Sequence, residues 1–244
     1  MRHQAVYSWP EQRELIWQNI RGRQLSILSI QTQTTASRDV NRQHIRAALS
    51  DVLCSAFDCQ AEQLALAHVP GQRPGKNGLI VLPEPQTRAP MNSNDSANSN
   101  NNNNNNNNNN HHAAINTITR AAKLSVHFSI SHETGLSIAA VAPDSKVGLD
   151  IVLIDPDIDW HSVSQLYLGP RAYLAITCMP PDQQAGHFSL LWACHEARLK
   201  CHGIAVSEWS PQLERTLADC QVRRLNLPSG YAGAVALQHQ PTAS

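Results

Sequence analysis

The sequence has no excess of charge of either sign and no apolar run that approaches the length of a membrane span. Its 244 residues include 19 Lys and Arg against 19 Asp and Glu, so the formal net charge is zero. A neutral chain creates no general field that attracts nucleic acid or an anionic membrane surface. The first residues also lack the apolar core of a signal peptide. We therefore expect a cytoplasmic protein that binds neither nucleic acid nor membrane.

The sequence also lacks a cysteine pattern typical of a zinc site. Its six cysteines are dispersed, and in a cytoplasmic chain they are expected to be reduced thiols. Cys194-His195 and Cys201-His202 resemble a zinc cluster, but their spacing matches none of the usual ligand pairs. Cys194 and Cys201 share one face of a predicted helix, so a site is conceivable there. Packed thiols beside surface histidines are the better interpretation.

A polar segment separates two parts of the chain. Residues 92–110 are nearly all Asn and Ser, and they end in an unbroken Asn tract that begins at Asn100. Such a composition cannot bury apolar surface, so we predict that the segment is disordered. With the Pro-rich stretch before it, it forms a predicted insert at 83–113. The insert lies between an N-terminal half at 1–82 and a C-terminal half at 114–244.

Hydrophobic periodicity predicts a mixture of strands and helices. Three strands joined by short links, at 124–130, 136–142 and 147–154, indicate an antiparallel meander. Strands and helices do not alternate regularly, so the predicted fold class is α+β. The other predicted strands are 25–30, 64–69, 222–227 and 232–237, and the predicted helices are 37–57, 162–177 and 186–202.

One acidic residue is unusual because its neighbours are apolar. Apart from Asp150, every residue from Val147 to Ile154 is aliphatic or Gly, which is typical of a buried strand. An ionised carboxylate in such a strand is strongly disfavoured unless a cation or hydrogen-bond donors meet it. Asp150 is therefore either a structural acid with a hidden partner or one ligand of a metal site.

Trp192, Glu196 and Lys200 follow one another at intervals of four residues, so they lie on one face of the predicted helix. An exposed Glu–Lys pair contributing about 0.2–0.5 kcal/mol is the common alternative. The apolar residues around this row favour the edge of a cleft instead. Ser131-His132 is not a nucleophile–base pair, because successive side chains of a strand point apart, and a serine hydrolase is rejected.

Basic residues occur in two further places. Arg38, Arg42 and Arg46 are four residues apart on a predicted helix, which indicates either a solvated basic face, the commoner case, or a phosphate-binding surface. Lys76 lies in a Gly-rich loop that lacks the spacing of a P-loop. Carboxylates that hold Mg²⁺, with cationic side chains that neutralise phosphate, together favour a phosphoryl-transfer site.

Three segments together resemble the signature of 4′-phosphopantetheinyl transferases of the surfactin-synthetase-activating type. The similarity is clear from about residue 126 to 205, and thin before residue 64. The segments are Ser129-Ile-Ser-His132, Gly148-Leu-Asp150-Ile-Val152 and Trp192-Ala-Cys-His195-Glu196-Ala-Arg-Leu-Lys200. The resemblance implies two similar α+β halves related by a pseudo-twofold axis, with coenzyme A in the cleft between them, in a chain that functions as a monomer.

The resemblance also implies a reaction and roles for individual residues. The hydroxyl of a serine on an apo acyl or peptidyl carrier protein attacks the β-phosphate of coenzyme A, and adenosine 3′,5′-bisphosphate leaves. Carriers of this kind serve fatty-acid, polyketide or nonribosomal peptide biosynthesis. Asp150 and Glu196 bind Mg²⁺, Glu196 helps to remove the serine proton, and Lys200 is the second catalytic residue. The residues implied to contact coenzyme A are Arg46, Lys76, Ser131, His132 and Lys200.

The chain departs from the family pattern at three positions. Ser129 replaces an Asn, His195 replaces a Lys, and Val152 replaces a Glu that binds metal in many members. A titrating His in place of a Lys predicts weaker coenzyme A binding above neutral pH. We expect Glu133, directly after the His of the first segment, to complete the metal ligands. These departures also leave open a catalytically silent relative that only binds carrier protein or coenzyme A.

Overall fold

The computed structural model describes residues 2–35, 37–59, 64, 66–67, 77–82 and 124–239. The predicted insert at 83–113 and the predicted coenzyme A ligand Lys76 lie outside these residues. Ten strands are present in the described parts: β1 His3–Gln4, β2 Tyr7–Ser8, β3 Ser26–Gln31, β4 Leu66–Ala67, β5 Asn77–Leu82, β6 Leu124–Glu133, β7 Leu136–Pro143, β8 Ser145–Leu153, β9 Gln221–Leu225 and β10 Tyr231–His239. Six α-helices accompany them: α1 Arg13–Arg21, α2 Arg38–Phe57, α3 Trp160–Val163, α4 Gly169–Thr177, α5 Pro181–His202 and α6 Pro211–Leu217.

The two long helices begin and end where local chemistry requires. The hydroxyl of Ser37 accepts a hydrogen bond from the backbone N–H of Val40 at 3.3 Å, and this caps the start of α2. Helix α5 begins with Pro181, whose missing N–H is not needed in the first turn. It ends at Gly203, which has a left-handed φ of 71°. Both predicted helices are confirmed, although α5 begins five residues earlier than 186.

The helix predicted at 162–177 is divided into three parts. Helix α3 is followed by a π-helical turn, Ser164–Leu168, and then by α4. The division occurs at Gly169, whose φ of 80° lies outside the helical region. Pro170 follows it and has no N–H to continue the hydrogen-bond ladder.

The strands form two sheets. The six-stranded sheet has the order β2-β3-β7-β6-β5-β4, and the four-stranded sheet has the order β1-β9-β10-β8. Strands β6 and β7 pair antiparallel, as predicted, and so do β9 and β10. The predicted meander is wrong for its third strand, because β8 pairs with β10 and not with β7. After the turn at Asp144, which has a φ of 59°, the chain crosses to the second sheet.

The sheets and helices form four layers. One face of the six-stranded sheet packs against α1 and α2 through residues such as Ile20, Leu53 and Phe128. Its other face packs against the four-stranded sheet, where Ile138 of β7 and Leu149 of β8 share a core. Helix α5 covers the outer face of the four-stranded sheet. The predicted α+β class is confirmed, whereas the division into halves at 82 and 114 and the pseudo-twofold relation remain predictions.

Among the described residues, no helix is both long enough and apolar enough to span a membrane.

Candidate functional site

Strand β8 directs Asp150 towards helix α5. Successive side chains of a strand point to opposite faces, and the alternation in β8 is strict. Val147, Leu149 and Ile151 enter the core between the two sheets. Asp150 and Val152 lie on the opposite face, which α5 covers, and Val152 packs with the apolar residues of that helix. The position that bears a Glu in many family members is therefore part of an apolar contact in this chain.

The hidden partner of Asp150 is Lys200. The ammonium nitrogen Nζ of Lys200 lies 2.6 Å from Oδ1 of Asp150, and only 11% and 7% of the two side chains are exposed. Nζ also donates to the carbonyl oxygen of Leu149 at 3.0 Å. A buried ion pair of this kind tolerates desolvation because further hydrogen bonds accompany the charge–charge contact.

Glu196 lies one turn before Lys200 on α5 and completes the group. Its Oε2 is 3.9 Å from the same Nζ, and 19% of its side chain is exposed. Two carboxylates from distant parts of the sequence thus approach one cation. The alternative of an ordinary exposed Glu–Lys pair does not describe this contact, because both side chains are largely buried and a second acid takes part.

Serine hydroxyls of β6 satisfy the outer edge of β8. Strand β8 is the last strand of its sheet, so one row of its backbone groups has no strand partner. The N–H of Leu149 donates to Ser129 Oγ at 3.0 Å, and the N–H of Ile151 donates to Ser131 Oγ at 3.3 Å. Ser131 in turn donates to Oδ1 of Asp150 at 2.9 Å. Ser129, which replaces the family's Asn, therefore holds β8 in place.

His132 and Glu133 end β6 beside this group. Nδ1 of His132 shares a hydrogen bond with the hydroxyl of Ser137 at 2.9 Å, which fixes the orientation of the ring. Oε1 of Glu133 accepts a hydrogen bond from the N–H of Thr134 at 2.8 Å. The coenzyme A contact of His132 and the metal contact of Glu133 stay predictions.

The oxygen donors suit a hard divalent cation. Mg²⁺ prefers carboxylate oxygens, and both Asp150 and Glu196 already face a positive group. Three His, Cys, Asp or Glu ligand atoms lie within 4.8 Å of one another at one place among the described residues, and that place, at the end of α5, includes neither acid. Asp150, Glu196 and Glu133 do not form such a group, and their role as ligands remains a prediction.

His195 differs from the sequence-based expectation. It is buried on α5, and burial, with a smaller contribution from Arg198, lowers the pKa of His195 to about 4. Its Nε2 has no hydrogen-bond partner. The expected loss of a charge above neutral pH is therefore wrong, because the imidazole is already neutral at pH 7.

One predicted coenzyme A ligand lies away from this group. Arg46 is on the exposed side of α2, in the layer that packs on the six-stranded sheet. Lys76 lies outside the described residues. Sequence reasoning missed the edge contact made by Ser129, and the available signal was the alternation of serines at 125, 129 and 131 in a strand.

The 4′-phosphopantetheinyl transferase HetI of Nostoc sp. (strain PCC 7120 / SAG 25.82 / UTEX 2576) is 29% identical to this chain over 89 residues. The match covers 36% of this chain and 38% of HetI, so it spans well under two thirds of that relative. No protein-family model matches the chain. The resemblance that the three motifs predicted is confirmed: the chain is similar to a 4′-phosphopantetheinyl transferase.

Proposed function

We propose that the chain transfers the 4′-phosphopantetheine arm of coenzyme A to a serine of an apo acyl or peptidyl carrier protein. The observation that carries the proposal is the meeting of Asp150, Glu196 and Lys200, which come from two separate motifs and contact one another through a single ammonium. Similarity to HetI, whose name is that of a phosphopantetheinyl transferase, supports the same activity. We further propose that the protein acts as a cytoplasmic monomer.

The proposed reaction is a displacement at phosphorus. The oxygen of the carrier serine forms a bond to the β-phosphorus of coenzyme A, and the bond from that phosphorus to its bridging oxygen breaks. The electron pair of the broken bond leaves with adenosine 3′,5′-bisphosphate. Glu196 takes the serine proton, directly or through a water, because it is the more exposed of the two buried carboxylates and can reach an incoming hydroxyl.

Charge on the pyrophosphate is balanced by the residues around Asp150. Magnesium, when bound, supplies positive charge at the pyrophosphate oxygens, and Asp150 and Glu196, with Glu133 as a third ligand, would hold it. Lys200 keeps a fixed ammonium at the site, since the Leu149 carbonyl and the Ser131 hydroxyl hold it in addition to Asp150. His132, oriented by its serine partner, is proposed to bind a phosphate oxygen.

Mass spectrometry of apo carrier proteins tests this proposal. The purified protein is incubated with Mg²⁺, coenzyme A and several apo carriers, and the phosphopantetheine increment is expected on at least one carrier serine. Asp150→Asn should reduce the rate by about 100-fold or more, because the site loses a negative ligand. Asp182→Asn is the matched control, since Asp182 is an exposed acid in the first turn of α5, the helix that carries Glu196 and Lys200. Equal rates for the two variants would refute the assigned site.

A catalytically silent relative is the second candidate. It is favoured by the neutral, buried imidazole of His195 and by the apolar packing of Val152, since the family has a Lys and often a Glu there. Isothermal titration with coenzyme A and with each apo carrier separates the two candidates. Binding without any mass increment on any carrier would establish the silent relative and overturn the transferase.

A further inference from the structure

A cluster of potential metal ligands lies at the end of α5, outside the site described above. The ligand atoms of His202, Asp219 and Cys220 all lie within 4.8 Å of one another. Nε2 of His202 is 2.9 Å from Oδ1 of Asp219. Cys201, directly before His202, is not one of the three, and its thiol donates a hydrogen bond to the carbonyl oxygen of Lys146 at 3.5 Å.

The fold brings together two adjacent pairs that the sequence separates. Cys201 and His202 are the last two residues of α5, and Gly203 then turns the chain with a left-handed φ of 71°. Asp219 and Cys220 come directly before β9, after α6 has returned the chain to the sheet. His202 of the first pair lies within reach of both residues of the second.

We propose that His202, Asp219 and Cys220 bind a zinc-type divalent cation. One sulfur, one imidazole nitrogen and one carboxylate oxygen, with a water as the fourth ligand, suit tetrahedral Zn²⁺, whereas Mg²⁺ takes oxygen ligands only. The sequence places Cys201 with Cys194 on one helix face and favours packing for both thiols. In the structure, Asp219 and Cys220 are instead the residues that meet His202.

The surroundings of the cluster are those of a fixed site with access from solvent. Gln238 donates from Nε2 to Oδ2 of Asp219 at 2.5 Å, which orients the carboxylate towards His202. Half of the Asp219 side chain is exposed, while that of His202 is 12% exposed and Cys201 is fully covered. An ion can therefore enter past Asp219 and be held by the half-buried sulfur of Cys220.

The proposed role of the ion is structural. The ion joins the end of α5 to the start of β9 and closes the loop 203–218. Because α5 also carries Glu196 and Lys200, binding should stabilise the helix that forms the transferase site. An ion that binds the folded chain but not the unfolded chain stabilises the fold by mass action.

Cobalt substitution tests the site directly. The reduced full-length chain is stripped with a chelator and titrated with Co²⁺, and we expect one equivalent with thiolate-to-cobalt charge-transfer absorption and the intense visible bands of tetrahedral cobalt. Zn²⁺ should displace the cobalt and remain with the protein through gel filtration, as measured by elemental analysis. Cys220→Ser and His202→Gln should each weaken binding by about tenfold or more. Cys178→Ser, which changes an exposed thiol elsewhere, should bind cobalt like the unmodified chain.

Three outcomes overturn the proposal. The first is a folded, reduced chain that retains no Zn²⁺ and shows no thiolate–cobalt absorption. The second is undiminished binding by both Cys220→Ser and His202→Gln. The third is a chain that binds no metal when it is reduced and that loses the thiols of Cys201 and Cys220 together on air oxidation. That result would make the two cysteines a redox pair. None of these measurements depends on carrier modification, so failure of the transferase proposal is separately visible.

Discussion

Replacing Gly148 by alanine tests the contact on which the Asp150 site depends. A Cβ at position 148 would lie 2.0 Å from the carbonyl oxygen of Ala197 and 2.3 Å from the backbone nitrogen of Cys201. Both atoms belong to the backbone of α5, so no flexible side chain can move aside. Since non-bonded heavy atoms pack at about 3.5–4.0 Å, α5 must retreat from β8 by more than about 1 Å.

Two quantities should change in Gly148→Ala. Overpacking of a core costs about 1–3 kcal/mol, and a clash with backbone on two sides places the loss of unfolding free energy at the upper end, about 3 kcal/mol. Retreat of α5 also lengthens the 2.6 Å contact between Lys200 and Asp150 beyond hydrogen-bonding range. Misplacement by about 1 Å can reduce turnover by about 100-fold.

Urea unfolding followed by circular dichroism measures the stability, and carrier modification by mass spectrometry measures the activity. Gly186→Ala is the matched control. Gly186 lies within α5, the helix that Gly148 contacts, and no heavy atom lies within 4 Å of the methyl group that alanine would add. The control should be more stable than the unmodified chain by up to about 1 kcal/mol, since alanine favours a helix interior. Our account of the β8–α5 contact is refuted if Gly148→Ala is as stable as Gly186→Ala.

Three further predictions concern buried charge and thiols. Lys200→Met leaves the Asp150 carboxylate without its cation and should lower the unfolding free energy by about 3–5 kcal/mol. Adding Asp150→Asn should restore part of the lost unfolding free energy, measured by urea unfolding, and no recovery would contradict the ion pair. In the folded chain the pKa of His195 is about 4, below its ordinary 6.5, so the unfolded chain takes up the proton first. The unfolding free energy should therefore fall by about 3 kcal/mol as the pH decreases from 6.5 to 4, and this pH-dependent fall should be missing from His195→Gln. The neighbouring thiol of Cys201 lowers the pKa of Cys220 to about 7. Alkylation of Cys220 by iodoacetamide in the metal-free chain should therefore accelerate through pH 7 and exceed that of Cys178 in peptide mapping, and equal rates would contradict this effect.

Local patterns predicted most of the elements near the site. The aliphatic run around Asp150 predicted a buried strand, and the periodicity after residue 186 predicted the helix that carries Glu196 and Lys200; both are confirmed. These predictions succeeded because period and composition are local properties of a strand or helix. The meander was wrong since pairing partners depend on contacts between distant strands, and β8 finds β10 about 80 residues later.

The chemistry of the site divides in the same way. By itself, the sequence determined that Asp150 needed a partner, because a carboxylate among aliphatic residues is unstable without one. It left a hidden partner within the protein and a metal ion as alternatives. Only the tertiary structure decided that Lys200, 50 residues away, meets Asp150 and that His202 meets Asp219. Those contacts require α5 to lie against β8 and β9, and the distance between residues in a folded chain is set by packing and not by their separation in sequence.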